Sequence, residues 1–132
     1  MGALDTVTVL EAHTQPAITS VRINPRKPAQ PFQALQRVPW NTHGYYLDAR
    51  PVFTLDPLFH AGTYYVQEAS SMFVAHAFQS LVPRIEASLR VLDLCAAPGG
   101  KSTLLAALLR DEDLLISNEV IQTRASILAE NL

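Results

Sequence analysis

Two adjacent glycines followed by a lysine separate an apolar run from a helix-forming run in the C-terminal third of this chain. The apolar run covers residues 91–94, the turn contains Pro98, Gly99 and Gly100, and residues 103–110 favour a helix. Where a parallel strand passes into a helix, the first N–H groups of the helix lack backbone partners and face a crevice at the sheet edge. These residue types therefore predict a strand–turn–helix unit that holds a small molecule against bare backbone.

Two phosphate-binding interpretations of the turn fail on glycine spacing. Gly100, Lys101 and Ser102 match the end of the nucleotide loop G-x-x-x-x-G-K-[ST], but Cys95 occupies the position of that loop's first glycine. The dinucleotide pattern G-x-G-x-x-G fails because Gly99 and Gly100 are adjacent. A third ligand, S-adenosylmethionine, has no pyrophosphate to enclose. A shorter glycine pair then suffices, and the ligand's carboxylate suits the positive end of a helix.

An acidic residue at the end of the next expected strand supplies a partner for a ribose. Glu119 follows Gly99 by 20 residues, and an acid at that distance from a glycine turn usually accepts hydrogen bonds from ribose hydroxyls. The alternative is a surface acid at a strand end. The turn and Glu119 together favour an S-adenosylmethionine site.

The side chains beside the turn allow more than one interpretation. Asp93 could accept hydrogen bonds from turn N–H groups, or point outward at the end of its strand. Lys101 could pair with Asp93 or with the ligand's carboxylate, or lie in solvent. No histidine is placed locally to activate Cys95, so we expect a small buried residue whose backbone lines the pocket rather than a nucleophile.

Length and composition indicate one domain, or one domain with an arm: 132 residues, 48% of them apolar, and a single cysteine. No apolar run approaches the roughly 18 residues that a membrane span needs. Residues 1–10 lack the basic-then-apolar order of a secretory signal, and one cysteine cannot form an intrachain disulfide. We therefore expect a cytoplasmic location.

Positive charge concentrates in one part of a chain whose formal net charge is −2. Between Ser20 and Arg50, five cations stand against the single anion Asp48, a local excess of +4. Such an excess suits phosphates, although an ordinary solvated surface would have the same composition. The five cations are Arg22, Arg26, Lys27, Arg37 and Arg50.

The N-terminal part predicts short strands rather than long helices. Residues 1–15 have only weak helical periodicity, and seven of the nine prolines lie between Pro16 and Pro57. Residues 19–24 alternate polar and apolar side chains and predict a strand, and residues 38–40 and 44–47 are further candidates.

After Gly62 the pattern becomes α/β. Residues 63–66 predict a strand and residues 67–78 a helix, on which His76 is expected to be a packed core histidine because no metal-ligand cluster accompanies it. A buried strand at 90–94, a helix at 101–110, a strand at 114–119 and an amphipathic C-terminal helix then follow. Strand–helix–strand–helix with short loops predicts a parallel sheet with right-handed crossovers, and no metal site is expected.

Residues 93–101, Asp-Leu-Cys-Ala-Ala-Pro-Gly-Gly-Lys, resemble the S-adenosylmethionine motif of the RNA cytosine-5 methyltransferases of the Sun and nucleolar-protein type. Residues 62–72 resemble the segment that precedes this motif in the family, and residues 19–25 resemble its N-terminal arm. The resemblance implies a Rossmann-like α/β methyltransferase domain, of which residues 61–132 are the first part. It also implies that residues 1–60 form an RNA-facing accessory arm.

The resemblance also implies roles for particular residues. Arg124 matches a basic position that helps at the cofactor site. The implied RNA contacts are Arg22, Arg26 and Lys27. The implied cofactor contacts are Cys95, Ala96, Ala97, Pro98, Gly99, Gly100, Lys101 and Glu119.

The resemblance stops short of catalysis. Family members attack C6 of cytosine with one cysteine and release the product with a second, and both lie downstream of the position of Glu119. We therefore expect no catalytic residue before Leu132, an N-terminal portion with weak or absent cofactor binding and no turnover, and an uncovered sheet face that promotes self-association. Two alternatives stay open: a non-catalytic RNA-binding or assembly module, and a methyltransferase acting on protein or a small molecule.

Overall fold

The computed structural model describes residues 5–29, 31–32, 35–82 and 87–132, which form two small sheets and five α-helices. Within these residues no helix combines the length and apolarity needed to cross a bilayer. The helices are α1 (Thr6–Thr14), α2 (Pro57–His60), α3 (Ala69–Leu81), α4 (Gly100–Ala106) and α5 (Gln122–Asn131), with a 3-10 turn at Phe53–Leu55. The strands are β1 (Ser20–Ile23), β2 (Gly44–Tyr46), β3 (Tyr64–Val66), β4 (Arg90–Asp93) and β5 (Leu114–Ser117).

The first sheet is antiparallel in the order β2-β1-β3, with Val21 opposite Tyr45 on one side and Val66 on the other. Its strands are short because prolines and turns interrupt this part of the chain. The predicted strands at 19–24, 44–47 and 63–66 are confirmed. The candidate strand at 38–40 is wrong, since Pro39 and Trp40 form a turn.

The pairing of β3 bears on how the chain divides. We predicted a boundary between residues 60 and 61, but β3 pairs with β1 and so belongs to the N-terminal sheet. The sheet therefore extends to Val66, and the division into an arm and a methyltransferase part stays a prediction.

Both faces of β1 are covered, so all four of its residues are buried. Val21 and Ile23 pack with Tyr45, Phe53 and Tyr64 in one apolar cluster. Each such side chain stabilises the fold by about 1.5–3 kcal/mol when fully buried. The opposite face of the strand carries Arg22 toward α4.

Helix α3 packs between the first sheet and α4. Met72, which is fully buried, packs with Val38, Leu104 and Leu105 in a second cluster. The expectation that His76 is a core residue is wrong, because His76 is exposed and Phe73 beside it is 50% exposed. The buried side of the helix runs instead through Met72 and Ala75.

The second sheet contains β4 and β5 in parallel, with Leu92 opposite Ile116 and Asp93 opposite Ser117. This confirms the predicted strand–helix–strand unit. Val91 and Leu115 pack against the α3–α4 cluster. The expectation of a fully buried β4 is wrong, because exposed and half-buried residues alternate along it.

Candidate functional site

The predicted turn joins β4 to α4, and a glycine conformation shapes it. Gly99 has φ of +114°, a backbone region that residues with a Cβ rarely adopt. A Cβ built there would lie 3.2 Å from the Cβ of Asn131 and 3.5 Å from Cδ1 of Leu128. Gly99 is therefore required both by its dihedral angles and by the close approach of α5.

A buried polar chain holds the base of the turn. The hydroxyl of Ser102, fully buried, donates to Oδ2 of Asp93 at 2.7 Å and accepts from the hydroxyl of Ser117 at 2.9 Å. The N–H of Cys95 donates to the other oxygen of Asp93 at 3.3 Å. Asp93 therefore accepts a hydrogen bond from a turn N–H and links β4, α4 and β5. Of the two roles considered for Asp93, the structure shows the hydrogen bond to the turn and not an outward-pointing side chain.

Asn118, the residue after β5, fixes the turn from the neighbouring strand. Its side-chain amide donates to the carbonyl of Leu94 at 3.0 Å, and its own carbonyl accepts from the N–H of Ala96 at 2.9 Å. The turn and the residues that follow β5 therefore lie side by side at the carboxyl edge of the parallel sheet, where α/β folds place their ligands.

Glu119 lies at this edge with its carboxylate held in place. Oε1 accepts from the N–H of Ile121 at 3.0 Å, and Oε2 lies 3.5 Å from Nη1 of Arg124. The hydrogen bond from the N–H of Ile121, and then the charge of Arg124, hold the pKa of Glu119 below its ordinary value, although partial burial opposes the shift. The carboxylate is therefore ionised at neutral pH and able to accept hydrogen bonds.

Helix α5 closes over the other side of the turn. The guanidinium of Arg124 donates to the carbonyl of Ala97 at 2.7 Å, and the amide of Asn131 donates to the carbonyl of Pro98 at 2.7 Å. Leu128 packs with Ala96 and Ala97 in a third apolar cluster. Arg124 thus connects the turn to Glu119, which agrees with its predicted place at the site.

The predicted cofactor residues differ in exposure. Ala96, Ala97 and Gly99 are buried, whereas Pro98 and Lys101 are exposed. The expectation that Cys95 is buried is wrong: its side chain is exposed, in the turn that directly follows β4. Among the described residues, a cleft of about 280 Å³ lies against α3, and one of about 470 Å³ lies between β3 and residues of α4 and α5, including Thr103 and Asn131.

The predicted RNA contacts separate into two kinds. Arg22 is only 5% exposed and donates to groups of the protein itself, so the expectation that it faces RNA is corrected. Arg26 and Lys27 are exposed, and the guanidinium of Arg26 also donates to the carbonyl of Leu109 at 2.8 Å. The surface part of the positive patch is therefore smaller than the composition suggests.

Four residues that shape the site were not singled out from the sequence, or were given another role: Arg22, Gln67, Asn118 and Asn131. Gln67 lies in the segment 62–72, whose family resemblance was the available signal. Asn118 and Asn131 had none, because their partners are backbone carbonyls far away in sequence. Among the described residues, no group of three or more metal-ligating side chains could hold an ion.

Two family models match the chain. The N-terminal domain of 16S rRNA methyltransferase RsmF matches residues 1–69, and 16S rRNA methyltransferase RsmB/F matches residues 79–132. The first match covers more than half of the chain and contains the β2-β1-β3 sheet. The second contains β4, the turn, β5 and α5.

Known proteins agree with these matches. Ribosomal RNA small subunit methyltransferase F of Pectobacterium atrosepticum is 34% identical over 93% of this chain and 28% of its own length. The protein of the same name from Shewanella denitrificans is 36% identical over 92% of this chain and 26% of its own length. The chain thus spans little more than a quarter of these relatives.

A solved structure shares the fold. A methyltransferase homolog protein from Pyrococcus horikoshii superposes with a TM-score of 0.77 at 31% identity, covering 95% of this chain and 43% of that one. The α/β architecture with its N-terminal sheet is therefore common to both. On the family models and these relatives, the chain belongs to the RsmF family of 16S rRNA methyltransferases.

Proposed function

We propose that this chain forms the S-adenosylmethionine site and part of the RNA-facing surface of an RNA cytosine-5 methyltransferase acting on small-subunit ribosomal RNA. The observation that carries the proposal is the juxtaposition of the Gly99 turn and the ionised Glu119 at the ends of adjacent parallel strands. The names of the relatives support ribosomal RNA over transfer RNA as the substrate.

The residues present suit this cofactor. A nucleotide with a pyrophosphate needs a longer glycine loop, whereas a glycine pair gives S-adenosylmethionine bare backbone to lie against. The cofactor's ribose carries two hydroxyl donors, and a carboxylate accepts two hydrogen bonds. Glu119 lies two residues after the end of β5, with an ionised carboxylate.

The chain's own residues bind and orient in this proposal. S-adenosylmethionine supplies an electrophilic methyl group when bound. Glu119 accepts hydrogen bonds from the ribose, and Arg124 holds Glu119 in position while it anchors the turn through Ala97. Residues 95–101 supply the backbone against which the methionine part of the cofactor lies.

Methyl transfer to cytosine requires residues that these 132 positions do not contain. The family resemblance implies two cysteines, and the single cysteine of this chain, Cys95, lies in the cofactor turn. We therefore assign the covalent step to a longer protein of the relatives' kind. By itself, this chain binds S-adenosylmethionine weakly and does not turn over.

RNA contact is assigned to the N-terminal part. Arg26 and Lys27 are exposed cations next to β1, and phosphates are the groups that such cations bind. Arg22 is left out of this surface because it is buried. The cytoplasmic location stays a prediction from the sequence.

Titration calorimetry with S-adenosylmethionine tests the cofactor part of the proposal. We expect weak, saturable binding to the wild type, and a Kd at least about tenfold higher for Glu119→Ala, because a hydrogen bond to a charged group contributes about 1.5–3 kcal/mol. Glu112→Ala is the matched control, since Glu112 pairs with Arg110 away from the turn. Equal affinities of wild type and Glu119→Ala would remove the ribose role from Glu119.

A second titration separates the proposal from the binding-module alternative. The wild-type chain is titrated with a short single-stranded RNA in the presence and absence of S-adenosylmethionine. RNA binding without any detectable cofactor binding would favour a non-catalytic RNA-binding module and contradict the proposal.

A further inference from the structure

We infer that Arg22 and Gln67 form a buried clamp that positions the cofactor turn, so that the N-terminal sheet sets the shape of the S-adenosylmethionine site. This inference rests on the proposed function. Arg22 lies on β1 and Gln67 directly follows β3. Neither side chain belongs to the turn itself, and both act through the backbone at Gly100.

Both side chains donate to one carbonyl group. The guanidinium of Arg22 donates to the carbonyl of Gly100 at 3.3 Å, and the amide of Gln67 donates to the same oxygen at 3.1 Å. Arg22 also donates to Oγ1 of Thr103 at 2.7 Å and to Oε1 of Gln67 at 2.8 Å. The two side chains therefore hold each other as well as the first turn of α4.

A fixed carbonyl fixes the N–H group of the same peptide unit. In a planar trans peptide these two groups point in opposite directions. Holding the carbonyl of Gly100 therefore sets the direction of the N–H of Lys101, one of the predicted cofactor contacts. Tyr65 adds a contact in the same region, its hydroxyl donating to the carbonyl of Pro98 at 3.4 Å.

The clamp packs tightly against Gly100, so that a side chain there would push Gln67 or Tyr65 away by a few tenths of an ångström. A Cβ built there would lie 3.3 Å from Nε2 of Gln67 and 3.3 Å from Cε1 of Tyr65. Glycine at this position lets the N-terminal side chains reach the backbone directly. The second glycine of the motif thus serves the clamp, whereas Gly99 serves the turn's dihedral angles.

Burying a guanidinium is costly, and Arg22 has no acidic partner among the described residues, which argues against an incidental arrangement. Arg22 is 5% exposed, and the three groups to which it donates are neutral. Burial lowers its pKa to about 10, although the nearby Tyr65 opposes the shift, so the side chain is still charged at neutral pH. The charged guanidinium therefore donates its hydrogen bonds to the backbone and a side chain in the first turn of α4.

The clamp also joins the two regions that the family models match separately. Arg22 and Gln67 lie within residues 1–69, and Gly100 lies within residues 79–132. A change in the N-terminal sheet, such as one caused by bound RNA, can thus alter the cofactor turn through these hydrogen bonds.

Amide hydrogen exchange and cofactor titration together test the clamp on the full chain. We expect Arg22→Met and Gln67→Met to accelerate exchange at residues 99–103 at least about fivefold, with β5 unchanged, and to raise the Kd for S-adenosylmethionine about tenfold. Arg22→Lys, which keeps the positive charge, should recover part of the slow exchange and part of the cofactor affinity. Arg50→Met is the matched control, because Arg50 lies over the ring of Phe53 and away from the turn.

Uniformly faster exchange, or variants that behave like Arg50→Met, would overturn the clamp. If Arg22→Met fails to fold, the same measurement is made on Thr103→Val, which removes one acceptor of the Arg22 guanidinium. Unchanged exchange at residues 99–103 in Thr103→Val would overturn the inference. Exchange is measured without cofactor. A wild type that binds no S-adenosylmethionine therefore contradicts the proposed function, while the exchange result still decides the clamp.

Discussion

At the scale of single residues, the conformation of the turn depends on Gly99. Its φ of +114° is unfavourable for other residues, and a Cβ there would be in tight contact with Asn131 of α5. Gly62 also has a positive φ, +65°, but open space surrounds the position of its missing Cβ. An alanine at Gly62 would therefore introduce backbone strain alone, whereas an alanine at Gly99 would introduce both backbone strain and a tight contact.

We predict that Gly99→Ala lowers the free energy of unfolding by about 1–3 kcal/mol from backbone strain, with a further loss from the contact with Asn131. Gly62→Ala should lower the free energy of unfolding by about 1 kcal/mol. Urea denaturation of both variants measures the difference. A Gly99→Ala variant no less stable than Gly62→Ala would show that α5 does not pack against the turn as described.

Spacing and the family resemblance predicted the positions of several residues around the turn. Asp93, Gly99, Glu119 and Arg124 have the positions that their spacing and family resemblance indicated. The expectation that Arg22 contacts RNA was wrong, because α4 covers the second face of the sheet and Arg22 is buried beneath it. Alternation predicts which residues share a face, but only the tertiary fold decides whether that face meets water.

At the scale of elements, the loop between α4 and β5 is fixed by one carboxylate. Oδ1 of Asp113 accepts from the N–H of Leu89 at 2.7 Å, and Oδ2 accepts from the N–H of Arg110 at 2.8 Å. The guanidinium of Arg110 adds a contact of 3.1 Å. Asp113 thus joins the start of β4 to the end of the crossover and helps to set the β4–β5 register.

These contacts give the crossover a pH dependence. The hydrogen bond from the Arg110 side chain, and then those from the backbone N–H groups, lower the pKa of Asp113 from 3.8 to about 2. A carboxyl whose pKa is lower in the folded state stabilises it fully above the unfolded pKa, and this stabilisation is lost as the pH falls through the folded value. We predict that the free energy of unfolding falls between pH 4 and pH 2, and falls less steeply in Asp113→Asn.

Urea denaturation at a series of pH values measures this difference. Asp111→Asn is the control, because Asp111 is exposed in the same loop. Parallel pH profiles for the wild type and Asp113→Asn would contradict the role given to this carboxylate.

The elements themselves were largely predictable, and their faces were not. All five strands and the order strand–helix–strand–helix follow from apolar runs, prolines and glycines. The buried side of α3 was misplaced toward His76, because small residues such as Ala75 leave several helical faces almost equally apolar. The pairing of β3 with β1 depends on a long-range contact that local patterns do not contain.

At the scale of the whole molecule, the β4–β5 sheet has one packed face and one face open to solvent. Val91 and Leu115 face the α3–α4 cluster. On the opposite face Leu92 is 56% exposed, and Leu114 and Ile116 are each 51% exposed. The uncovered apolar face expected from the sequence is therefore present among the described residues, and such faces favour association.

We predict that the chain self-associates through this face, with an average mass that rises with concentration. Leu92→Lys and Ile116→Lys should shift the distribution toward monomer, because each places a charge in the contact. Leu81→Lys is the control, since Leu81 is 80% exposed on α3. Size-exclusion chromatography with light scattering measures the mass, and a monomeric wild type at every concentration would contradict the prediction.

The central claim, that residues 95–101 and Glu119 bind S-adenosylmethionine, is tested most directly by titrating the cofactor into the isotope-labelled chain and following backbone amide chemical shifts. We predict saturable shifts that are largest at residues 95–101 and 119–121, and strongly reduced shifts there in Glu119→Ala. Shifts confined to the cleft beside Trp40 and His76, or none at a saturating cofactor concentration, would contradict it.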